Sequence, residues 1–116
     1  MITITSDQMA AFKAMQSADF EGKMVDMLVA TYPQQATDLE GVTAVVAVAA
    51  FDARAMGLSG GSVVGLYVLA AFLLGMAIRD DPRVHAALRD SHASEATKAL
   101  WLEQWLGAIG AALDSK

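Results

Sequence analysis

The chain has 116 residues, 55% of them hydrophobic, a formal net charge of −5 at pH 7 and a mean hydropathy of +0.41. That is the length of one domain, on the apolar side of an ordinary soluble protein. The eight Lys and Arg are scattered singly, so the clustered cationic footprint that nucleic acid or an anionic lipid headgroup needs is missing; the lack of cysteine excludes disulfides, thiolate nucleophiles and cysteine metal sites.

The opening MITITSDQMAAF lacks the basic start and apolar core of a secretory signal, which predicts a protein made and kept in the cytoplasm. Thr5 and Gln8 have the spacing of a capping box, so a helix is predicted from about Ser6. Met9, Phe12, Met15, Phe20, Met24, Met27 and Leu28 recur mostly at steps of three and four up to Tyr32, giving a long amphipathic helix with a Met-rich face. Pro33 ends it, because the residue before a proline is pushed out of the α region, and a short helical turn is expected from Pro33 through Leu39.

After Gly41 comes VTAVVAVAAFDARAM. The Val content suits a strand, but the Ala content, the Asp-Ala-Arg ending and Gly57 as C-terminal cap favour a helix over Val42–Met56. Ser59 or Ser62 is placed to cap the next helix, which runs to Ile78 and is apolar almost all round, hence buried centrally or in lipid. Asp80, Asp81 and Pro82 form a stop and restart, with Asp81 as cap and Pro82 in the first turn of a short helix PRVHAALRD. Ser91 or Ser94 restarts the last helix, where Leu102, Trp105, Leu106, Ile109 and Leu113 make one stripe and Lys98, Glu103 and Asp114 lie away from it. No internal repeat or long linker divides the chain, so the expected fold is a single all-α domain, a compact bundle of five or six helices around a nearly all-apolar central helix at about 62–78.

No charged residue lies between Arg54 and Arg79, which raises the question of a membrane span over about 58–78. Gly61 and Gly65 have the small-xxx-small spacing of helices packed in lipid. Against a span, Gly57 to Ser62 reads as an interhelical turn that shortens the apolar helix to the lower limit for crossing. Asp80 and Asp81 supply no cationic flank, and Tyr67 sits mid-run, away from an interface belt. A soluble buried helix is the favoured reading. Two nearly all-apolar helices in so small a domain then leave apolar surface over, which predicts a hydrophobic partner surface or a self-association face, as in a homodimer.

No catalytic constellation can be assembled. His85 and His92 are seven apart across a helix break and lack metal-ligand spacing, and Asp80 with Asp81 is accounted for by helix capping. The glycines at 57, 60, 61 and 65 follow no strand and precede no Lys, so no phosphate loop is supported, and no Ser has a nucleophile-elbow context. The chain is therefore expected to be non-enzymatic, with no metal and no cofactor. The candidate contact residues are Met24, Met27 and Leu28 on the first helix, since thioethers repack around varied partners, and Trp101 and Trp105 on the last. Asp80 and Asp81, with Asp90 and Glu95, are the charges that would face a basic partner.

Several short features recur together: the opening Ile-Thr with Gln8, then Phe20, Tyr32-Pro33, Arg54 with Gly57, Tyr67, Phe72, Gly75 and the Asp81-Pro82 stop. In these the chain resembles, over about two thirds of its length, a loosely defined group of small helical proteins encoded in bacterial type VI secretion clusters beside spike, PAAR-tip and effector genes. Where members of that group carry charged residues early in the helix after the Gly turn, this chain has GGSVVG. The resemblance implies a cytoplasmic accessory protein, an adaptor or chaperone that holds an effector or spike component, and it brings no catalytic residues. Two other functions fit the residues: an immunity protein whose acidic surface neutralises a co-encoded toxin, and a small membrane protein spanning at about 58–78.

Overall fold

A computed structural model describes residues 20–58, 60–75, 78, 80–90 and 92–114, with the side chains of 62 and 110–114 outside the description. Among the described residues there are five helices and no strand: α1 Phe20–Thr31, α2 Leu39–Ala55, α3 Gly61–Leu74, α4 Pro82–Leu88 and α5 Glu95–Asp114. The all-α expectation holds. The capping box at Thr5 and Gln8, with Met9, Phe12 and Met15, lies outside the described residues.

α1 ends where the proline rule places it, with Thr31 the last helical residue ahead of Pro33. The connection is shorter than the expected turn through Leu39. The N–H groups of Gln35 and Ala36 both donate to the Tyr32 carbonyl, and Leu39 already belongs to α2. α2 thus starts three residues before the predicted Val42, with Asp38 in extended conformation at its N-cap. The missed residues, Leu39 to Gly41, carry little periodic signal, since Leu39 and Glu40 are both exposed. At its far end α2 closes in a Schellman motif: Gly57, at φ 88, donates to the Arg54 carbonyl, and Leu58 donates to that of Ala53. Leu58 and Ala53 are both buried, the apolar contact that accompanies this cap.

α3 stops at Leu74, four residues short of the expected Ile78. Gly75 terminates it at φ 91 and ψ 165, a conformation in which a Cβ is strained, and a 3₁₀ turn around Ile78 follows. α4 begins as read, with Pro82 in its first turn and the Asp81 carboxylate accepting from the Arg83 N–H at 2.9 Å. Ser94 rather than Ser91 caps α5, accepting from the Thr97 N–H at 3.2 Å.

α3 packs most extensively on α2, next on α5, and touches α1, while α1 lies along α2 and α4 against α5. Every residue from Val63 to Ala71 is buried. The helices around α3 each offer it one stripe: Phe20, Met24, Val25 and Leu28 from α1, Val42, Val46, Ala49, Ala50 and Ala53 from α2, Leu102 and Leu106 from α5. Polar bonds fix the ends of this arrangement. The Gly60 N–H, at the N-cap of α3, donates to Glu95 Oε1 at 2.6 Å, so the starts of α3 and α5 are tied together. At the other end of α3 the Tyr32 and Phe72 rings lie 6.1 Å apart, and Arg54 places its guanidinium 5.7 Å over the Phe20 ring where α1 begins.

The uncharged run between Arg54 and Arg79 is therefore not one helix. A 14-residue α3 is about 21 Å long against a hydrocarbon core of about 30 Å, and among the described residues no helix is long and apolar enough to cross a membrane.

Candidate functional site

The contact residues expected on α1 divide by burial. Met24 and Leu28 are fully buried, so they are core side chains and not a partner face; with Phe20 they recur every four residues and mark the side of α1 that meets α2 and α3. Met27, one position round the helix, is half-buried, and its sulfur accepts from the Thr31 hydroxyl at 3.5 Å. Met56 is also half-buried, so the described methionines present no open groove.

On α5 the capped start at Ser94 and the Glu95–Gly60 bond set the rotation of the helix. Leu102 and Leu106 point into the core, and Trp101 and Trp105, four residues apart, fall on the border between core and solvent. Their rings stack with centroids 5.9 Å apart and planes 10° from parallel, and both residues are half-buried. The Trp105 indole N–H is enclosed and finds no acceptor among the described residues. Two large amphipathic rings, already ordered by each other and part-open to solvent, make a contact surface whose ordering cost on binding is small. Lys98, expected on the polar side of α5, is 9% exposed instead. A long aliphatic stem lets a lysine cover apolar surface while its ammonium reaches outward, a property that a binary polar assignment ignores.

The four acids do not form one cluster of free charge. Asp81 caps α4, Asp90 accepts from the His92 N–H at 2.9 Å, and Glu95 holds Gly60; Asp80 is exposed. Among the described residues no group of three or more His, Asp or Glu is arranged to hold a metal ion. An open groove of about 250 Å³ runs between the α1–α2 connection and α3, with Gln35, Thr37 and Asp38 at its lip and Val42, Val45 and Phe72 below. It lies under the usual volume of a small-molecule pocket, and no set of convergent polar groups lines it.

One surface went unread in the sequence. Phe51 is 72% exposed and Leu39 62%, and Val48 joins them on the outer side of α2, where Ala44, Ala47 and Ala55 are exposed as well. The signal was present: Phe51 falls outside the stripe made by Val42, Val46, Ala49 and Ala53, the only bulky residue of α2 to do so in its second half apart from Val48 and Arg54. In a helix this apolar all round, the outward side does not announce itself.

No protein-family model, curated protein or solved structure matches this chain. The architecture and surfaces define the class: a small all-α bundle in which, among the described residues, large apolar side chains face solvent on α1, α2 and α5.

Proposed function

We propose that this chain is a non-enzymatic helical binding protein that grips a protein partner through the Trp101–Trp105 surface of α5. The observation that carries this reading is the stacked, half-buried tryptophan pair, a residue type and a degree of enclosure typical of the few positions that dominate protein–protein affinity. The finer assignment rests on the sequence resemblance. In it the chain is a cytoplasmic type VI secretion accessory factor, an adaptor or chaperone that holds an effector or spike component.

The test is co-expression with the products of the genes that neighbour its own, an effector or spike component being the expected partner. A complex that co-purifies, with affinity reduced by Trp101→Ala at unchanged helix content, supports the proposal; a complex indifferent to both Trp101→Ala and Trp105→Ala removes this surface from it. No complex with any neighbouring gene product removes the secretion assignment. The immunity reading has less to stand on, since three of its four acids already each accept from a backbone N–H.

A further inference from the structure

Lys98 is the one buried charged side chain among the described residues, 9% exposed, and no described residue accepts a hydrogen bond from its ammonium or pairs with it. It stands three positions before Trp101 and seven before Trp105, so the three share one row along α5, with the lysine at its head and the stacked rings following. A long helical side chain leans toward the N-terminus of its own helix, which leaves the ammonium ahead of both rings. The nearby carboxylates of α5 do not answer it. Glu103, two positions from each tryptophan, falls on the opposite side of the helix, and Glu95 is turned to the Gly60 N–H at 2.6 Å.

Packing alone does not account for a lysine here. Its stem covers apolar surface, but Leu or Met at the same position would do so without an ammonium to keep at the rim. The helix dipole does not account for it either, because Lys98 is the fourth residue of α5, close to the end where positive charge is disfavoured and negative charge is favoured. Trp105 adds to the imbalance, since its enclosed indole N–H finds no acceptor among the described residues. In a chain with 13 acids against eight bases, this row holds a cation, a surplus of donors and no acid. Its complement is an apolar group followed by an anionic acceptor.

We infer that the partner segment taken by this row is acidic: a short peptide segment that lays a large apolar side chain on the Trp101–Trp105 pair and sets an Asp or Glu carboxylate on the Lys98 ammonium, about one helical turn, roughly 5 Å, further along. The inference rests on the reading of the tryptophan pair as the partner surface and adds the chemistry of the partner to it. A carboxylate placed elsewhere on so acidic a chain meets net repulsion, so the charge pair fixes the register of the segment as well as its composition.

The chain has two tryptophans, both in this row, so their fluorescence reports binding there directly. The probe is a display library of random short peptides selected on the immobilised chain. Enriched peptides should combine a large apolar residue with Asp or Glu and should shift the tryptophan emission. Lys98→Met keeps the stem and removes the charge; it should weaken these peptides roughly three- to tenfold, while Lys98→Arg preserves them and Lys98→Glu turns the preference toward basic peptides. Changing the peptide's own acid to its amide should give the same loss on the unaltered chain, a result that does not depend on how any variant folds. Peptides that are lost with Trp101→Ala but carry no excess of acid, or that bind equally well after both Lys98→Met and the change to the amide, overturn the inference and leave the partner surface standing. A selection that yields no peptide dependent on Trp101 also overturns it, and co-expression with the neighbouring gene products then decides the partner surface separately.

Discussion

α2 and α3 are the two most apolar stretches of the chain and are joined by a single turn, yet they end in opposite circumstances. α3 is enclosed by α1, α2 and α5, and every side chain from Val63 to Ala71 is out of water. α2 buries Val42, Val46, Ala49, Ala50 and Ala53 on one side and turns Ala44, Ala47, Val48, Phe51 and Ala55 to solvent on the other. The difference lies in bulk. Leu66, Tyr67 and Leu69 project large side chains in several directions around α3, and only a position surrounded by helices buries them all. On the outer side of α2, Ala44, Ala47 and Ala55 leave little apolar area exposed at each residue, which eases its place at the edge of the bundle. Phe51, 72% exposed, and Leu39, 62% exposed, break that economy.

Breaking α3 should have the largest effect. Leu66→Ala or Leu69→Ala opens a cavity on a side chain that is fully buried, and unfolding in urea should show a loss of about 2–5 kcal/mol. Next comes the bond that holds the head of α3 to α5. Glu95→Ala leaves the Gly60 N–H without its carboxylate and should cost about 1.5–3 kcal/mol, with amide exchange speeding first at residues 60–64. Gly75→Ala tests the far end, where φ 91 and ψ 165 are strained for any residue with a Cβ; a loss of about 1–3 kcal/mol in unfolding free energy is expected, seen as a lowered thermal midpoint, and no loss would mean that α3 does not stop there. The smallest effect belongs to α2. Phe51→Ser should change stability by no more than about 0.5 kcal/mol. A loss as large as that of Leu66→Ala would show that Phe51 is covered within the monomer and would erase the contrast between the two helices.

Local punctuation was legible in the sequence because its physics is local. Pro33 closing α1, Gly57 taking a positive φ at the end of α2, and Asp81-Pro82 opening α4 each depend on the conformational limits of one or two residues and on bonds within a turn. The candidate surfaces were legible in part. The Trp101–Trp105 spacing pointed to one side of α5, and the pair is found half-open there; the Met24–Leu28 spacing pointed to a face of α1 that turned out to be core. Both stripes have the same signature, since periodicity reports that a face is apolar and not whether a neighbour covers it. Glu95 is the clearest miss. Its bond to Gly60 joins residues 35 positions apart, and no local pattern announces a carboxylate that satisfies the exposed N–H of another helix.

By itself, then, the sequence determined the helical character of the chain, most of its breaks and the absence of any evident catalytic motif, because propensity, capping and composition act within a few residues. Tertiary structure alone decided that Met24 and Leu28 would be core while Phe51 stayed in water, and that the Glu95 carboxylate would meet the Gly60 N–H at the head of α3. Those outcomes depend on which helix lies against which, a choice made by the total area removed from water over the whole bundle and not by any one segment of it.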